Sequence, residues 1–345
     1  MGKRPDGAKD KESELQRTVS FVDAPGHETL MAVMISGASI MDGALLLIAA
    51  NEQCPQPQTR EHLAALQIAG IENIVIVQNK VDLVTRERAI ESHKEITEFV
   101  SGTIAENAPI IPVSAHHDVN LDILIQAVEA QIPTPDRGDE EGMMHVARSF
   151  DINRPGTRPN GLKGGIIGGS IVRGKFSKGD EVVIAPGRRS TQGSKQKWTP
   201  IETRIMSMKG GGLDLEEMNA GGLCGISTPL DPSMTKADNL SGQVMARKGE
   251  LPPIWEVMSL NLTLLDRMVA SEEGKADKVK PLALNEMLMV NASTATSVGV
   301  VNKVSKGVTT LTLRLPICAP VGSRVTLSRR IDSRWRLIGH GTISG

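Results

Sequence analysis

The sequence predicts an α/β domain with a parallel sheet, followed by two antiparallel β-barrel domains. Three observations support this. From residue 17 to about 132, short apolar runs alternate with stretches of helical period. The texture then changes at "IPTPDRGDEEG" (132–142), which has two prolines, two glycines and four acids and reads as a linker. Beyond it the helical period gives way to short β-rich runs broken by Gly, Pro and Asn, with a second break near "ARKGELPP" (246–253).

Residues 1–16 are charged, contain Gly and Pro, and read as a disordered lead-in. "TVSFV" (18–22) reads as a strand, followed by a helix around 27–40. "GALLLIAA" (43–50) and "NIVIVQ" (73–78) are apolar enough to be strands buried on both faces. Between them Thr59 can N-cap a helix that Gly70 closes. A helix near 86–100, a strand "PIIPV" (109–113) and a helix over 121–131 complete the alternating part. The expected domains are 17–139, 140–249 and 250–345. In the second, the glycines of "LKGGIIGGS" suit bulges and close backbone approach.

With 345 residues the chain can bury several cores. Its 39 basic and 40 acidic residues balance, so the whole is no polycation. Residues 251–345 carry a net charge of +5 and the remainder −6. A basic third can meet a polyanion or simply favour solubility. Three dispersed cysteines form no CxxC pair, which argues against a zinc ribbon or a disulfide framework and suits a reducing cytosol. No apolar run approaches the ~20 residues of a membrane helix, and no membrane partner is expected. With no tyrosine and 4 Phe, the 15 Met must help Leu, Ile and Val fill the cores.

Ligands of an open parallel sheet bind beyond the C-terminal ends of its strands, and three such ends carry a matching set. The first is Asp23-Ala24-Pro25-Gly26-His27. A carboxylate here can hold Mg²⁺, Gly26 lets its N–H approach a terminal phosphate, and His27 stands where a water-orienting group belongs. The second is Asn79-Lys80-Val81-Asp82. Asp82 can accept both donors of a guanine edge, Asn79 can serve the O6/N7 edge, and the Lys80 stem can lie along the ring. The third is Ser114-Ala115-His116, whose small residues let backbone N–H groups reach O6.

The order DxxG, NKxD, SA is that of a guanine-nucleotide-binding domain, and "FVDAPGHE" with "NKVDL" resembles the translational GTPases. "MDGALLLIAANEQCPQPQTREHLAAL", "LKGGIIGGSIVRG", "LDPSMTKADNLSGQV" and "RWRLIGHG" resemble the gamma subunits of archaeal and eukaryotic translation initiation factor 2, and the likeness runs from Arg17 to Gly345. It implies a P-loop GTPase domain that uses GTP/GDP and Mg²⁺, with Asp23 as the metal ligand and His27 as the catalytic residue. The nucleotide contacts would be Asp23, Pro25, Gly26, Asn79, Lys80, Asp82, Ser114, Ala115 and His116. The implied partners are initiator methionyl-tRNA, the alpha and beta subunits of the same factor and the small ribosomal subunit, in the cytoplasm.

One departure is plain: the chain holds no GxxxxGK[ST]. It resembles the family without its N-terminal portion, a truncated GTPase domain whose missing first strand is expected between 18–22 and 73–78. Nucleotide binding and hydrolysis are therefore expected to be impaired, and the first domain loosened. A non-catalytic scaffold for tRNA or subunits, and another tRNA-carrying elongation GTPase, are the alternatives. The basic stretch Arg324, Arg329, Arg330, Arg334, Arg336 around Trp335 reads either as an RNA-facing surface or as a solvated barrel face over a core Trp. Sequence alone gives "MTKADNLSG" (234–242) turn chemistry and no role.

Overall fold

The computed structural model of the chain describes residues 17–23, 40–138, 141–192, 195–265, 278–305, 307–331 and 334–345. The first region runs β1 (Ala44–Ala49), α1 (Pro57–Ala69), β2 (Ile74–Asn79), α2 (Arg86–Val100), β3 (Ile110–Pro112) and α3 (Leu121–Gln131). The three strands are parallel in the order β1-β2-β3, with Ala44 beside Ile74 and Ile76 beside Ile110. β2 is apolar from Ile74 to Val77 because it is covered twice. Ile74 and Ile76 pack with Leu46, Ile48, Leu63, Leu66, Ile96 and Val100 on one face. Val75 and Val77 pack with Ile111, Val113 and Leu124 on the other.

Local chemistry sets the helix ends. Thr85 caps α2 by accepting from the Arg88 N–H at 3.3 Å. Gly70 closes α1 in the left-handed region at φ 74°. The start of α1 differs from expectation: Gln56 stands at the N-cap without a side-chain bond, Pro57 opens the helix, and Thr59 lies inside the first turn. A proline at the first helical position lacks only an N–H that has no partner there, and its fixed φ starts the helix three residues early.

Two further expectations are corrected. Residues 18–22 form no strand. Val19, Phe21 and Val22 are exposed, because the segment is held elsewhere. Arg17 reaches the C-terminal end of α3, donating to Glu129 Oε1 at 3.0 Å and to the Ile132 carbonyl at 2.6 Å. Ser20 Oγ accepts from the Leu223 N–H at 3.1 Å, in the second region. Nor is there a gap beside 73–78. β2 is flanked by β1 and β3, and among the described residues the unpaired edges are the outer ones of β1 and β3. The helix expected around 27–40 lies almost wholly outside the described residues.

The second region contains β4 (Met143–Phe150), β5 (Ile166–Arg173), β6 (Lys175–Ser177), β7 (Glu181–Gln192), β8 (Lys195–Arg204), β9 (Ser207–Gly210), β10 (Leu213–Leu215), β11 (Glu217–Asn219), β12 (Cys224–Ser227) and β13 (Val244–Arg247). Eight strands form an antiparallel sheet, β10-β9-β12-β5-β4-β13-β7-β8, and β11 pairs with β6 as a ribbon. Met144, Val146, Ile167, Ile171, Phe176 and Ile184 are central to its core. The glycine expectation holds here: a Cβ at Gly164 would strike the Thr228 carbonyl and one at Gly169 the His145 carbonyl. The β4–β5 register also shifts beside them, between Val146 and Arg148.

The third region is a closed antiparallel barrel of β14 (Ile254–Leu264), β17 (Val308–Cys318), β16 (Ala295–Ser305), β15 (Met287–Ala292), β18 (Arg324–Ile331) and β19 (Arg334–Ser344), in that order around the ring. Met258, Leu260, Val290, Leu311, Leu327 and Ile338 fill it. Trp335 and Arg336 are both half-buried, so the stretch around them is not a clean alternation of core and solvent. The regions touch. Met143, Ala185 and Val244 pack with Cys318, and Ala65 and Ile68 of α1 pack with Leu337. Arg324 Nη1 donates to the Ile68 carbonyl at 3.2 Å.

Candidate functional site

β2 delivers Asn79 to the C-terminal edge of the parallel sheet, where the chain turns sharply. Lys80 takes a left-handed conformation (φ 62°), and a 3-10 turn over Val81–Leu83 follows, closed by Leu83 N–H to the Lys80 carbonyl at 3.1 Å. Val81 N–H donates to the Val113 carbonyl at 3.3 Å, stitching this turn to the end of β3. The loop after β3 is equally fixed. Ser114 and Val119 exchange backbone hydrogen bonds, and Asn120 Nδ2 donates to the Pro112 carbonyl at 2.8 Å.

Two side chains join the loops. Asn79 Oδ1 accepts from the N–H of Lys80 at 2.8 Å and of Ala115 at 3.3 Å. The buried Ser114 hydroxyl accepts from the His117 N–H at 3.3 Å and donates to the Asp82 carboxylate. That donated bond is the main cause that holds Asp82 below the usual carboxylate range, with smaller help from His117 and His116. His117 Nε2 lies 3.9 Å from Asp82 Oδ2. The rings of His116 and His117 meet edge to face, with centroids 4.7 Å apart.

The groups left over match a guanine edge. Asp82 presents carboxylate lone pairs to solvent as an acceptor for two N–H donors. Among the described residues, Asn79 Nδ2 and the His116 N–H have no hydrogen-bond partner, so both can donate to oxo and ring-nitrogen acceptors. Lys80 is exposed beside them. Asn79, Lys80, Asp82, Ser114, Ala115 and His116 thus occupy one rim, and the residues present fit a guanine base.

Asp23 is not joined to that rim. It is exposed at the end of the segment 17–23 and makes no hydrogen bond or ion pair among the described residues. Pro25, Gly26 and His27 lie outside the described residues. No group of three His, Cys, Asp or Glu side chains suited to a metal occurs among the described residues, so no such cluster surrounds Asp23, the expected magnesium ligand. Sequence reasoning counted Ser114 only for its small size and left out His117. Their chemistry towards Asp82 depends on a loop fold that the short string "SAHH" does not signal.

The family described as "Elongation factor Tu GTP binding domain" matches residues 10–134, and "Initiation factor eIF2 gamma, C terminal" matches residues 256–343. The chain is 55% identical over 335 residues to translation initiation factor 2 subunit gamma of Methanocaldococcus jannaschii, covering 97% of this chain and 81% of that one. It is 53% identical over 340 residues to the same subunit of Haloquadratum walsbyi, covering 98% and 82%. Among solved structures it resembles elongation factor SelB of Methanococcus maripaludis, both apo (TM-score 0.71) and with the GTP analogue GppNHp (TM-score 0.72). Both are 21% identical, over 94% of this chain and 70% of that one. At that identity the likeness shows the fold alone. The near relatives decide the rest: the chain belongs to the family of translation initiation factor 2 gamma subunits.

Proposed function

We propose that the chain is the guanine-nucleotide-binding core subunit that carries initiator methionyl-tRNA to the small ribosomal subunit in the cytoplasm, with alpha and beta subunits as its partners. In this reading 1–16 is a lead-in, 17–139 holds the nucleotide, and 140–249 and 250–345 are the β domains that meet RNA and subunits. One observation supports the nucleotide half most directly: Asn79 and Asp82, three residues apart, are braced by Ala115 and Ser114 so that their free groups complement guanine.

The protein's part in the chemistry is to select and hold. Asp82 accepts from the base, Asn79 and the His116 N–H donate to it, and the Ser114 hydroxyl holds the Asp82 carboxyl below its ordinary range. With nucleotide bound, Mg²⁺ would neutralise phosphate charge, and Asp23 would be its ligand from this chain. Pro25 and Gly26 would stand at the terminal phosphate, and His27 would orient the attacking water for hydrolysis after start-codon selection.

A second reading is a non-catalytic scaffold for tRNA or subunits, in which a guanine edge is held without N–H groups and a lysine that cradle the phosphates. Titration of labelled GTP into this polypeptide distinguishes the two. Weak binding, lost in Asp82→Ala, is expected for a base site acting alone. Micromolar affinity abolished by Asp82→Ala would contradict the scaffold reading. Binding untouched by Asp82→Ala would remove the assigned site. An elongation GTPase would prefer elongator aminoacyl-tRNAs, and its likeness to this chain is one of fold.

A further inference from the structure

We propose that the His117 side chain is a positioning residue for Asp82: as an imidazolium it draws one carboxylate oxygen away from the base, so guanine binding weakens as the imidazole gains its proton. The proposal rests on the reading of the rim as a guanine site and adds what regulates it.

His117 Nε2 lies 3.9 Å from Asp82 Oδ2, and this is the one ion pair of Asp82 among the described residues. The distance is too long for a hydrogen bond and short enough for a charge to be felt. The loop after β3 aims the ring there. Ser114 and Val119 close it by exchanging backbone bonds, and Asp118 (φ 56°) and Asn120 (φ 60°) turn it through left-handed conformations. His117 N–H donates to Ser114 Oγ at 3.3 Å, and the same hydroxyl donates to the Asp82 carboxylate. Backbone and ring of His117 thus address Asp82 by two routes. The His116 ring meets the His117 ring edge to face, at an interplanar angle of 78°, and limits where it can turn.

Guanine presents two N–H donors side by side, and a carboxylate meets such a pair with one oxygen for each. Ser114 already occupies one of the roughly four lone-pair sites of the carboxylate. A neutral His117 makes little claim on the rest. A charged one attracts Oδ2 and offers its own N–H to it. It also repels the positive ends of the guanine N–H groups, which point to the same carboxylate. Both effects act against the base and leave the Ser114 bond in place.

The His117 side chain is 58% exposed, so it buries little, and the backbone bonds hold its loop without the imidazole. On the surrounding elements the other ionisable groups are Lys80 on the turn, His116 and Asp118 on the loop, Arg86 and Glu87 at the start of α2, and Asp122 at the start of α3. None of them pairs with Asp82 or His117 among the described residues. His117 also does more than His116 to lower the Asp82 carboxyl. That carboxyl stays ionised through the range in which histidines charge, about pH 8 to 5. The imidazole step is therefore separate from the loss of the acceptor itself. Exposure and salt keep it modest, about twofold to fivefold in affinity.

The test titrates guanosine, which has no phosphate to change charge with pH, into the isotope-labelled full chain. The Ala115 and His116 amide shifts read its affinity. In the parent the dissociation constant should rise about twofold to fivefold from about pH 8 to about pH 5.5. His117→Gln should flatten that profile. His117→Lys, charged at both values, should also be flat and should bind at the higher pH as weakly as the parent does at the lower. His93→Gln, exposed on α2, should keep the parent profile. A flat parent profile overturns the proposal while the guanine site stands. So does a His117→Gln profile equal to that of the parent, or a His117→Lys that matches the parent at the higher pH. Guanosine that shifts neither amide, or that binds Asp82→Ala as it binds the parent, overturns both.

Discussion

Asn79 Oδ1 accepts the backbone N–H of Ala115 at 3.3 Å, across 36 residues of sequence. One side chain therefore sets the separation between the loop after β2 and the loop after β3, and it does so with the atom that a base does not need. Its Nδ2 stays free for the ligand. Asn79→Ala removes the brace and leaves two N–H donors with water as their partner. It should cost about 1–2 kcal/mol of first-region stability as well as guanine binding. Denaturant unfolding followed by a probe in α2 checks this. An unchanged midpoint would show that the loops hold their places without the amide.

In the proposed reading, Asp82 selects the base by accepting from two N–H donors. Asp82→Asn exchanges one acceptor for a donor, so guanine binding should fall about tenfold to a hundredfold. A purine with an oxo group at C2 should then compete better than it does with the parent. Displacement of a fluorescent nucleotide by GDP and by XDP measures both. The pH dependence follows from the lowered carboxyl. The ionised acceptor persists below the ordinary carboxylate range and is lost only as pH falls through the depressed value. Ser114→Ala removes the main cause of that depression and should move the loss of base binding to higher pH.

Gly70 and Arg324 meet where α1 ends against the barrel. A Cβ at Gly70 would collide with the Arg324 guanidinium, and its φ of 74° already disfavours a side chain. Gly70→Ala should destabilise by about 1–2 kcal/mol and displace Arg324 from the Ile68 carbonyl. Arg324→Ala, which leaves that helix end without its cation, should cost about 1 kcal/mol. Thermal unfolding with hydrogen exchange at the last turn of α1 reads both. Exchange unaltered in Arg324→Ala would show that the contact does not hold the helix end.

His145 is buried between β4 and its neighbours, and neither ring nitrogen has a hydrogen-bond partner among the described residues. Burial, and secondarily Arg173, pushes its pKa down to about 4 from 6.5. A histidine lowered on folding contributes stability above its unfolded value. That stability is lost as pH falls from about 6.5 towards 4, by about 3 kcal/mol in total. Urea unfolding between pH 7 and 4 should show this loss in the parent chain and much less of it in His145→Leu. Equal pH dependence in the two would place the titration on other groups.

Much of this was legible in the sequence because local and global signals agreed. Helix α3 over 121–131, Gly70 as a C-cap, and the strand ending in Asn79 follow from period, capping and an uninterrupted apolar run. The misses arose where tertiary context decides. "TVSFV" has strand composition, but a strand needs a hydrogen-bonding neighbour, and Arg17 and Ser20 tie the segment to α3 and the second region. Which strand lies beside β2 is a matter of sheet order, which composition does not encode. At the site, Asn79, Asp82, Ser114 and Ala115 were readable from motif spacing. The Ser114 bond to Asp82 was not, because it depends on how the loop after β3 folds back through the Ser114–Val119 pairing.

The most direct test of guanine recognition at this rim is a backbone NMR titration of the chain with GDP and, separately, with ADP. GDP should shift the resonances of Asn79, Asp82, Ala115 and His116, ADP should leave them in place, and Asp82→Ala should abolish the GDP shifts. Equal responses to the two nucleotides at those residues, or GDP shifts confined to other surfaces, would contradict it.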